Sequence, residues 1–235
     1  MLACAQVECE PQQEGWTRLK ADLFGTIDRG YCSQGVCVRR DTRQARWWCR
    51  PLAYVLARRE ARSLQRLEQR LPDLAGEAFP RLLSWEHGVL LRSWIAGQPL
   101  QMAPQQEVAF FDQARALLAR CHRAGVTHND LAKEPNVLVR EDGEPALLDW
   151  QLGRVAQRRS AYFRMLGRED LRHLMKHKRH YQAPYLRPRE LAMLAKPSLP
   201  SRLWRRLGKP VYHGITRGLL GWSDREGAGD RGAPP

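Results

Sequence analysis

The sequence has no apolar run approaching the ~18 residues that a membrane-spanning helix needs. Its six cysteines include no Cys-x-x-Cys pair, which argues against a cysteine-based metal site. The first residues, Met1 to Cys4, have no basic region ahead of an apolar one, so we expect no signal peptide. An even number of cysteines is compatible with disulfides, but the chain length and the lack of a leader favour reduced thiols in the cytoplasm.

Two common nucleotide-binding signatures are also missing, because the chain contains neither G-x-G-x-x-G nor G-x-x-x-x-G-K-[ST]. Gly25 and Gly30 lie among short apolar pieces between Trp16 and Arg40, a texture typical of strands and turns. These glycines either shape a loop over phosphates or, as we favour, belong to an ordinary hairpin turn.

Positive charge is concentrated in the C-terminal part of the chain. Of the 39 Lys and Arg residues, 17 lie between Arg154 and Arg217 against three acids, whereas the remainder holds 22 of each sign (39 − 17 and 25 − 3). A basic face attracts phosphates on nucleic acid, anionic lipid or a phosphorylated glycolipid. The alternative is a solvated basic face without a specific partner.

A strand followed by a long helix is predicted in the first half. The run 35–41 indicates a strand that ends in cations, and a helix is expected from Pro51 to Leu71. Glu60 falls on the apolar stripe of that helix, and a carboxylate that faces a core requires a cation or a donor. Either Arg40 supplies the cation, or Glu60 sits at the edge of the stripe and pairs locally. The stripe residues are Leu56, Leu64, Leu67 and Leu71.

Further along, strands are predicted at 79–83 and 88–94, followed by a flexible connector at 96–99. A helix is expected from about Gln105 to Arg123, ended by Gly125. The chain from Ser160 onward is predicted to be helical and basic. The residues expected to point inward from the 105–123 helix are Phe110, Ala114, Leu117, Leu118 and Cys121.

The most informative stretch is 126–139, which holds His, Asp, Lys and Asn within nine residues. It is followed by a turn around Asp142-Gly143 and a second apolar run that ends in Asp149. Two short strands joined by such a turn predict a hairpin. Asp130 precedes the hairpin, Asn136 lies at its root and Asp149 closes it, so three oxygen-bearing side chains are expected at one end of a rigid element. Such a set suits a hard cation and a phosphate.

The order of these elements resembles the protein-kinase-like superfamily over roughly residues 20 to 180. The resemblance rests on His128-Asn129-Asp130 with Lys133 and Asn136, on 148–151 (Leu-Asp-Trp-Gln) after the hairpin, and on Glu60 in a helix that follows a strand. Within that superfamily the chain looks most like the bacterial RIO-like and lipopolysaccharide (Kdo/heptose) kinases.

That resemblance implies a compact, two-lobed α+β fold. The N-lobe, 16–95, is expected to hold a small sheet plus a helix. The C-lobe, 96–222, is expected to be mainly helical, with a basic C-terminal part. A flexible arm, 1–15, and a disordered tail, 223–235, flank the two lobes.

The resemblance also implies roles for individual residues, with ATP and Mg²⁺ in the cleft between the lobes. Asp130 is then the catalytic base, and Lys133 neutralises charge near the γ-phosphate. His128 packs the loop. Nucleotide binding falls to Arg40 with Glu60, and metal binding to Asn136 with Asp149.

Three departures from the kinase pattern qualify these roles. Asn136 follows Asp130 by six residues instead of five, so that either slack in the loop absorbs the extra residue or the amide points away. The usual Asp-Phe-Gly is 149–151 (Asp-Trp-Gln), in which the Trp is expected to fill the Phe pocket, with Gly153 two places late. The strand lysine is replaced by Arg40 or Arg39, and arginine is a bulkier phosphate ligand.

We therefore predict an ATP- and Mg²⁺-dependent phosphotransferase that acts on a hydroxyl of a protein Ser/Thr or of a lipopolysaccharide-core sugar. The alternative is a nucleotide-binding pseudokinase that serves as a scaffold at a membrane or phosphate-rich surface.

The protein is expected in the cytoplasm, with peripheral contact at the inner face of the membrane. The segments 203–207 and 211–222 mix Trp and Leu with Arg, and they either bind an anionic membrane or pack on the kinase lobe. RNA fits the composition less well, because no nucleic-acid motif is present.

Overall fold

A computed structural model describes residues 15–103 and 107–195. Most of the predicted arm, the 203–222 segment and the predicted tail lie outside these residues, as does the predicted helix start at Gln105. The chain divides into two compact units: Met1–Ala96 with Asp149–Val155, and Gly97–Leu148 with Ala156–Pro235. The predicted lobe boundaries stay predictions.

The first unit contains a five-stranded antiparallel sheet with the strand order β1-β2-β3-β5-β4. Gly25 begins β2 at a φ of +118°, and a Cβ there would lie 2.2 Å from the carbonyl oxygen of Asp41. Only glycine suits this position, and the interpretation of this glycine as part of a hairpin turn is confirmed. The strands are β1 (Thr17–Asp22), β2 (Gly25–Cys32), β3 (Gly35–Asp41), β4 (Leu82–Glu86) and β5 (Val89–Ser93).

Helix α1 (Arg50–Arg70) packs on this sheet, close to the predicted bounds. Its buried face confirms Leu64 and Leu67, but the predicted stripe is wrong for Leu56 and Leu71, which are only half-buried. Small residues continue the face instead, because alanine lets a helix approach a sheet closely. The buried alanines are Ala53, Ala57 and Ala61.

Two other boundaries differ from the prediction. The strand predicted at 79–83 begins later, at Leu82, because Pro80 cannot donate to a sheet ladder; Phe79 is fully buried ahead of it. The predicted connector at 96–99 contains β6 (Gln98–Pro99), which pairs with the later strand Val137–Val139. A short strand, β10 (Arg154–Val155), closes the part of the chain that belongs to the first unit.

The second unit is mainly helical and contains the predicted hairpin. Strands β8 and β9 pair in register, with Val137 opposite Leu147, and β6 joins them in a three-stranded sheet. All five residues predicted to point inward from α2 are buried. The elements are α2 (Phe110–Arg123), β7 (Val126–Thr127), β8 (Val137–Val139), β9 (Pro145–Leu147), α3 (Ala161–Tyr181) and α4 (Pro188–Ala195).

Helix α3 carries the predicted basic cluster, but part of that charge is internal. The Lys178 side chain is only 2% exposed, and its Nζ lies 3.0 Å from Glu190 and 3.6 Å from Asp112. Arg172 is also buried. The view of this stretch as a solvated face is therefore wrong for these two residues, because nearby acids pair with them inside the fold: Glu190 and Asp112 with Lys178, and Glu169 with Arg172.

Within residues 15–103 and 107–195, no helix combines the length and the hydropathy that crossing a bilayer requires. The cysteines of this part are thiols rather than disulfides: Cys32, Cys37, Cys49 and Cys121.

Candidate functional site

Strand β3 sends its two adjacent arginines to opposite faces of the sheet, because side chains alternate along a strand. Arg39 pairs with Asp28 at 3.2 Å, and its guanidinium stacks on Trp16 at 4.4 Å. Arg40 points to the other face, where its Nη1 lies 3.5 Å from Glu60 on α1. The predicted Arg40–Glu60 pair is confirmed as a contact, and Arg39 has no share in it.

Glu60 is fully buried and contacts a second cation that the sequence analysis missed. Arg92 of β5 places its Nε 3.2 Å from Glu60 Oε1. Among the described residues neither carboxylate oxygen of Glu60 makes a well-aligned hydrogen bond, so the three groups are joined by charge alone. An arginine in the middle of the apolar strand 89–93 was the available signal, because a buried cation there requires an acid.

Asp149 lies in the same unit and is held by two side chains. Its Oδ1 accepts a hydrogen bond from Arg40 Nη2 at 3.3 Å, and its Oδ2 accepts one from Gln151 Nε2 at 3.2 Å. Gln151 in turn accepts a 2.7 Å bond from Arg40 Nη1. The backbone of Asp149 is left-handed, with φ 58° and ψ 66°. Arg40 therefore joins Glu60 to Asp149.

The residues after Asp149 pack against α1. Trp150 is fully buried, as expected of a residue that fills the Phe pocket. A Cβ at Gly153 would lie 2.6 Å from Ser63 Oγ of α1, so glycine allows this segment to approach the helix.

The charge state of Arg40 follows from these neighbours. Burial acts to lower its pKa, but the negative charges of Glu60 and Asp149 outweigh burial, and the pKa is raised above its ordinary value. Arg40 is therefore a permanent cation.

In the second unit, Asp130, Lys133 and Asn136 form one cluster. Asp130 Oδ2 lies 3.1 Å from Lys133 Nζ and accepts a 3.2 Å hydrogen bond from Asn136 Nδ2. The same amide nitrogen donates to the Asp130 carbonyl at 2.9 Å. A 3₁₀ turn at Glu134–Asn136 absorbs the extra residue of the spacing. The amide of Asn136 thus points toward Asp130, not away from it.

His128 has a structural contact set, as predicted. Its Nε2 donates to the carbonyl of Leu148 at 2.7 Å, and its Nδ1 accepts from the amide of Asp130 at 3.3 Å. The imidazole is fully buried. These contacts fix the start of the loop.

The sequence analysis missed Asp170 of α3, which supports the same loop. Its carboxylate accepts hydrogen bonds from the backbone amides of His128 at 2.8 Å and Asn129 at 2.7 Å, and from His122 Nε2 at 3.0 Å. Asp170 is 2% exposed. No local sequence signal connects it to a loop some forty residues earlier.

Two further side chains of α3 hold the loop. His177 Nε2 donates to the carbonyl of Leu131 at 2.7 Å, and the Tyr181 hydroxyl donates to Glu134 at 2.6 Å. The loop that carries Asp130 is thereby fixed at both ends of the cluster by one helix. Preorganisation of this kind is what positioned chemistry requires.

Each of the two groups of side chains allows a particular chemistry. In the second unit, a carboxylate beside a lysine can accept a proton from a hydroxyl and stabilise nearby negative charge. In the first unit, a buried arginine can bind an anion such as phosphate. The structure brings together Asp130, Lys133 and Asn136 in one unit and Arg40, Glu60 and Asp149 in the other. Their assigned roles stay predictions.

Known proteins were compared with the chain in three ways: by family model, by curated sequence and by solved structure. A family model, the RIO domain, matches residues 30–188. A search of curated proteins gave no match.

Among solved structures, the chain is similar to the Rio2 kinase-ADP/Mg²⁺-phosphoaspartate complex from Chaetomium thermophilum. The TM-score is 0.55 at 14% identity, over 79% of this chain and 59% of that one. A second Rio2 kinase structure from the same organism gives a TM-score of 0.55 at 15% identity, over 71% and 57%. The chain therefore spans less than two thirds of these relatives.

The expected α+β protein-kinase-like fold is confirmed by these matches and by the sheet and helices described above. The RIO part of the resemblance is confirmed as well, since the family model covers more than half of the sequence. The chain belongs to the RIO-domain family.

Proposed function

We propose that this protein is an ATP- and Mg²⁺-dependent phosphotransferase that moves the γ-phosphate of ATP to a hydroxyl group. The observation that carries the proposal is the Asp130 carboxylate, which contacts both Lys133 and Asn136 on a loop supported by Asp170. Membership of the RIO-domain family and the ADP/Mg²⁺ complex of the similar Rio2 kinase support the nucleotide and the metal.

In the second unit, Asp130 takes the acceptor proton and Lys133 neutralises charge. A hydroxyl becomes a better nucleophile as its proton moves to a positioned carboxylate. Asn136 keeps the Asp130 carboxylate oriented through its Nδ2 bond. Phosphoryl transfer depends mainly on positioning and charge neutralisation, so this small set is sufficient.

In the first unit, Arg40 binds phosphate oxygens and is positioned by Glu60. Glu60 is held in turn by Arg92, which keeps the carboxylate in place when Arg40 turns to a ligand. The same movement removes the hydrogen bond that Arg40 Nη2 donates to Asp149, while the bond from Gln151 stays.

Each proposed metal ligand, Asn136 in the second unit and Asp149 in the first, carries an oxygen that suits a hard cation. The amide nitrogen of Asn136 is used by Asp130, which leaves its Oδ1 as a ligand oxygen. Mg²⁺ is usually bound by one or two protein groups together with substrate phosphates and water. In the described part of the chain no three His, Cys, Asp or Glu side chains form a metal site of their own. When bound, the ion would neutralise charge on the phosphates.

The acceptor is proposed by class only: a Ser or Thr hydroxyl of a protein, or a sugar hydroxyl of the lipopolysaccharide core. The basic C-terminal part, 154–217, favours the anionic glycolipid, and the RIO-domain family favours the protein. A cytoplasmic location with peripheral contact at the inner membrane face suits both. An acceptor screen with labelled ATP, using protein and lipid fractions side by side, separates the two classes.

A second candidate is a nucleotide-binding pseudokinase that acts as a scaffold. One observation favours it: an arginine stands at the place of the strand lysine and already engages Glu60, Asp149 and Gln151. Nucleotide binding tolerates such a replacement better than turnover does.

Transfer of labelled phosphate by the wild type and by Asp130→Ala distinguishes the two candidates. The phosphotransferase predicts transfer that the variant largely loses while it still binds Mg-ATP. Binding of Mg-ATP by both proteins with no transfer by either would establish the pseudokinase.

A further inference from the structure

The outer face of α1 carries an aromatic and arginine-rich surface that the phosphotransfer site does not use. Of the fourteen exposed large hydrophobic residues among the described residues, five lie between Trp47 and Val55. One of these, Tyr54, is partly covered by the Trp85 ring, with centroids 5.1 Å apart. The other four are Trp47, Trp48, Leu52 and Val55, and we call them the aromatic end.

Trp47 is the most exposed member of the aromatic end, at 81%. Trp48, Leu52 and Val55 are each at least 42% exposed. Single exposed apolar residues are ordinary, but a contiguous group marks an interaction surface. Leu52 and Val55 are three residues apart and share one helix face, while the opposite face of α1 is buried in the first unit.

Arginines continue this face along α1. Positions 55, 59, 62 and 66 follow the i, i+4, i+7, i+11 spacing of one helix face, and the last three are arginines. The helix contains six arginines, no lysine and two acids. We call the three exposed arginines of this face, Arg58, Arg59 and Arg62, the arginine stripe.

Neither acid of α1 neutralises the stripe. Glu60 is buried against Arg40 and Arg92. Glu68 pairs with Arg81 at 3.3 Å. Among the described residues, Arg58, Arg59 and Arg62 take part in no ion pair. The first unit therefore presents a concentrated positive field next to the aromatic end.

We propose that this face of α1 docks on an anionic phospholipid membrane. Exposed Trp and aliphatic side chains enter the headgroup boundary, and arginines bind lipid phosphates; this pairing is the pattern of interfacial helices. Charge complementarity excludes a basic partner. Leu52 and Val55 favour lipid over single-stranded nucleic acid, because stacking on bases requires aromatic faces. The surface shares no residue with the basic C-terminal part, 154–217.

The experiment measures binding of the full chain to vesicles of phosphatidylcholine alone and of phosphatidylcholine with an equal part of phosphatidylglycerol. We expect binding only to the anionic vesicles. The double variant Arg59→Glu/Arg62→Glu should bind at least about 30-fold more weakly, because each arginine near an anionic surface contributes roughly fivefold. The variant Arg59→Lys/Arg62→Lys should bind like the wild type.

A matched control carries the same charge change elsewhere. Arg158→Glu/Arg159→Glu alters two exposed arginines outside α1 and should weaken binding much less than the change in the stripe. Equal losses in the two reversed variants, or no loss in either, would overturn the proposal, because the effect would then belong to net charge and not to α1.

The variant Trp47→Ser tests independently whether Trp47 inserts into the membrane. It tests the proposal even if Arg59→Glu/Arg62→Glu fails to fold. Anionic vesicles should shift wild-type tryptophan emission to shorter wavelength, and the shift should be smaller in Trp47→Ser. An undiminished shift refutes insertion.

Single-stranded polyuridine is the competing probe: if binding of this RNA depends on Arg59 and Arg62 while vesicle binding does not, the surface is a nucleic-acid site and the proposal is wrong.

Discussion

Replacement of Asp170 by asparagine is the sharpest test of how the loop with Asp130 is held. The carboxylate is buried and accepts three hydrogen bonds, at 2.7, 2.8 and 3.0 Å. Oδ2 accepts hydrogen bonds from the His128 amide and the His122 ring, and Oδ1 accepts one from the Asn129 amide. Asparagine has the same shape but only one acceptor oxygen.

The magnitude follows from those three bonds. If the amide oxygen of asparagine takes the place of Oδ2, its NH₂ group faces the Asn129 N–H and two donors oppose each other. One charge-assisted bond is lost and one buried donor is left unsatisfied, which costs about 2–3 kcal/mol. For a protein of this size the melting temperature should fall by about 4–12 °C.

Two assays follow this change. Chemical denaturation measures the loss in unfolding free energy, and hydrogen exchange follows the amides of His128 and Asn129, which should lose protection in Asp170→Asn. Asp142→Asn is the control, because Asp142 accepts only exposed hydrogen bonds on the hairpin turn and should cost under about 1 kcal/mol. The reasoning fails if the two variants are equally stable and the two amides exchange as in the wild type.

Three other predictions concern buried ionisable groups. Glu60→Gln should lower the unfolding free energy by about 3 kcal/mol, because two arginines lose their buried partner. The control Glu68→Gln, on the same helix, should lower it by less than about 1 kcal/mol. Equal losses of the two variants in chemical denaturation would contradict the stabilising role of the buried Glu60 pairs. Burial raises the pKa of Cys121 to about 12. In the native protein at pH 8 this thiol should therefore resist alkylation, while the half-buried Cys32 reacts. Modification of both cysteines at the same rate would refute this prediction. Burial, with help from the nearby Lys176 charge, lowers the pKa of His173 to about 4. Between about pH 4 and 6.5 the unfolded chain therefore binds a proton at His173 that the folded chain does not. The contribution of His173 to stability is complete above pH 6.5 and is lost as the pH falls toward 4. An NMR titration of the native protein in which His173 has its midpoint near 6.5 would contradict this prediction.

Local patterns allowed much of this fold to be predicted. The β8–β9 hairpin follows from two apolar runs around an Asp-Gly turn, and α2 follows from its apolar spacing. The Arg40–Glu60 contact also follows locally, because a carboxylate on an apolar stripe requires a cation and the preceding strand ends in two. The structure was needed to decide against local pairing of Glu60 and to choose between Arg39 and Arg40, since the register of β3 decides which side chain faces α1.

Long-range partners could not be predicted in the same way. Asp170 appeared only as one of the few acids in a basic stretch, and nothing in its neighbours reveals that it accepts hydrogen bonds from the amides of His128 and Asn129. Lys178 was counted as surface charge, although Glu190 and Asp112 surround it. The spacing from Asp130 to Asn136 left two outcomes open, because a 3₁₀ turn that absorbs one residue has no clear sequence signature.

The arginine stripe was missed for a different reason. Counted over the chain outside 154–217, positive and negative residues balance. This overall balance does not reveal the excess positive charge of α1, because its two acids pair with Arg40, Arg92 and Arg81. Charge counts over long segments therefore say little about the field at one helix face.

The central claim, that Asp130 is the base in phosphoryl transfer, is tested most directly by the rate of γ-phosphate transfer from labelled ATP in the wild type and in Asp130→Ala. A positioned general base contributes roughly 10²–10⁴-fold, so the account predicts a loss of that size in the variant with Mg-ATP binding retained. Equal rates of transfer in the two proteins would contradict it.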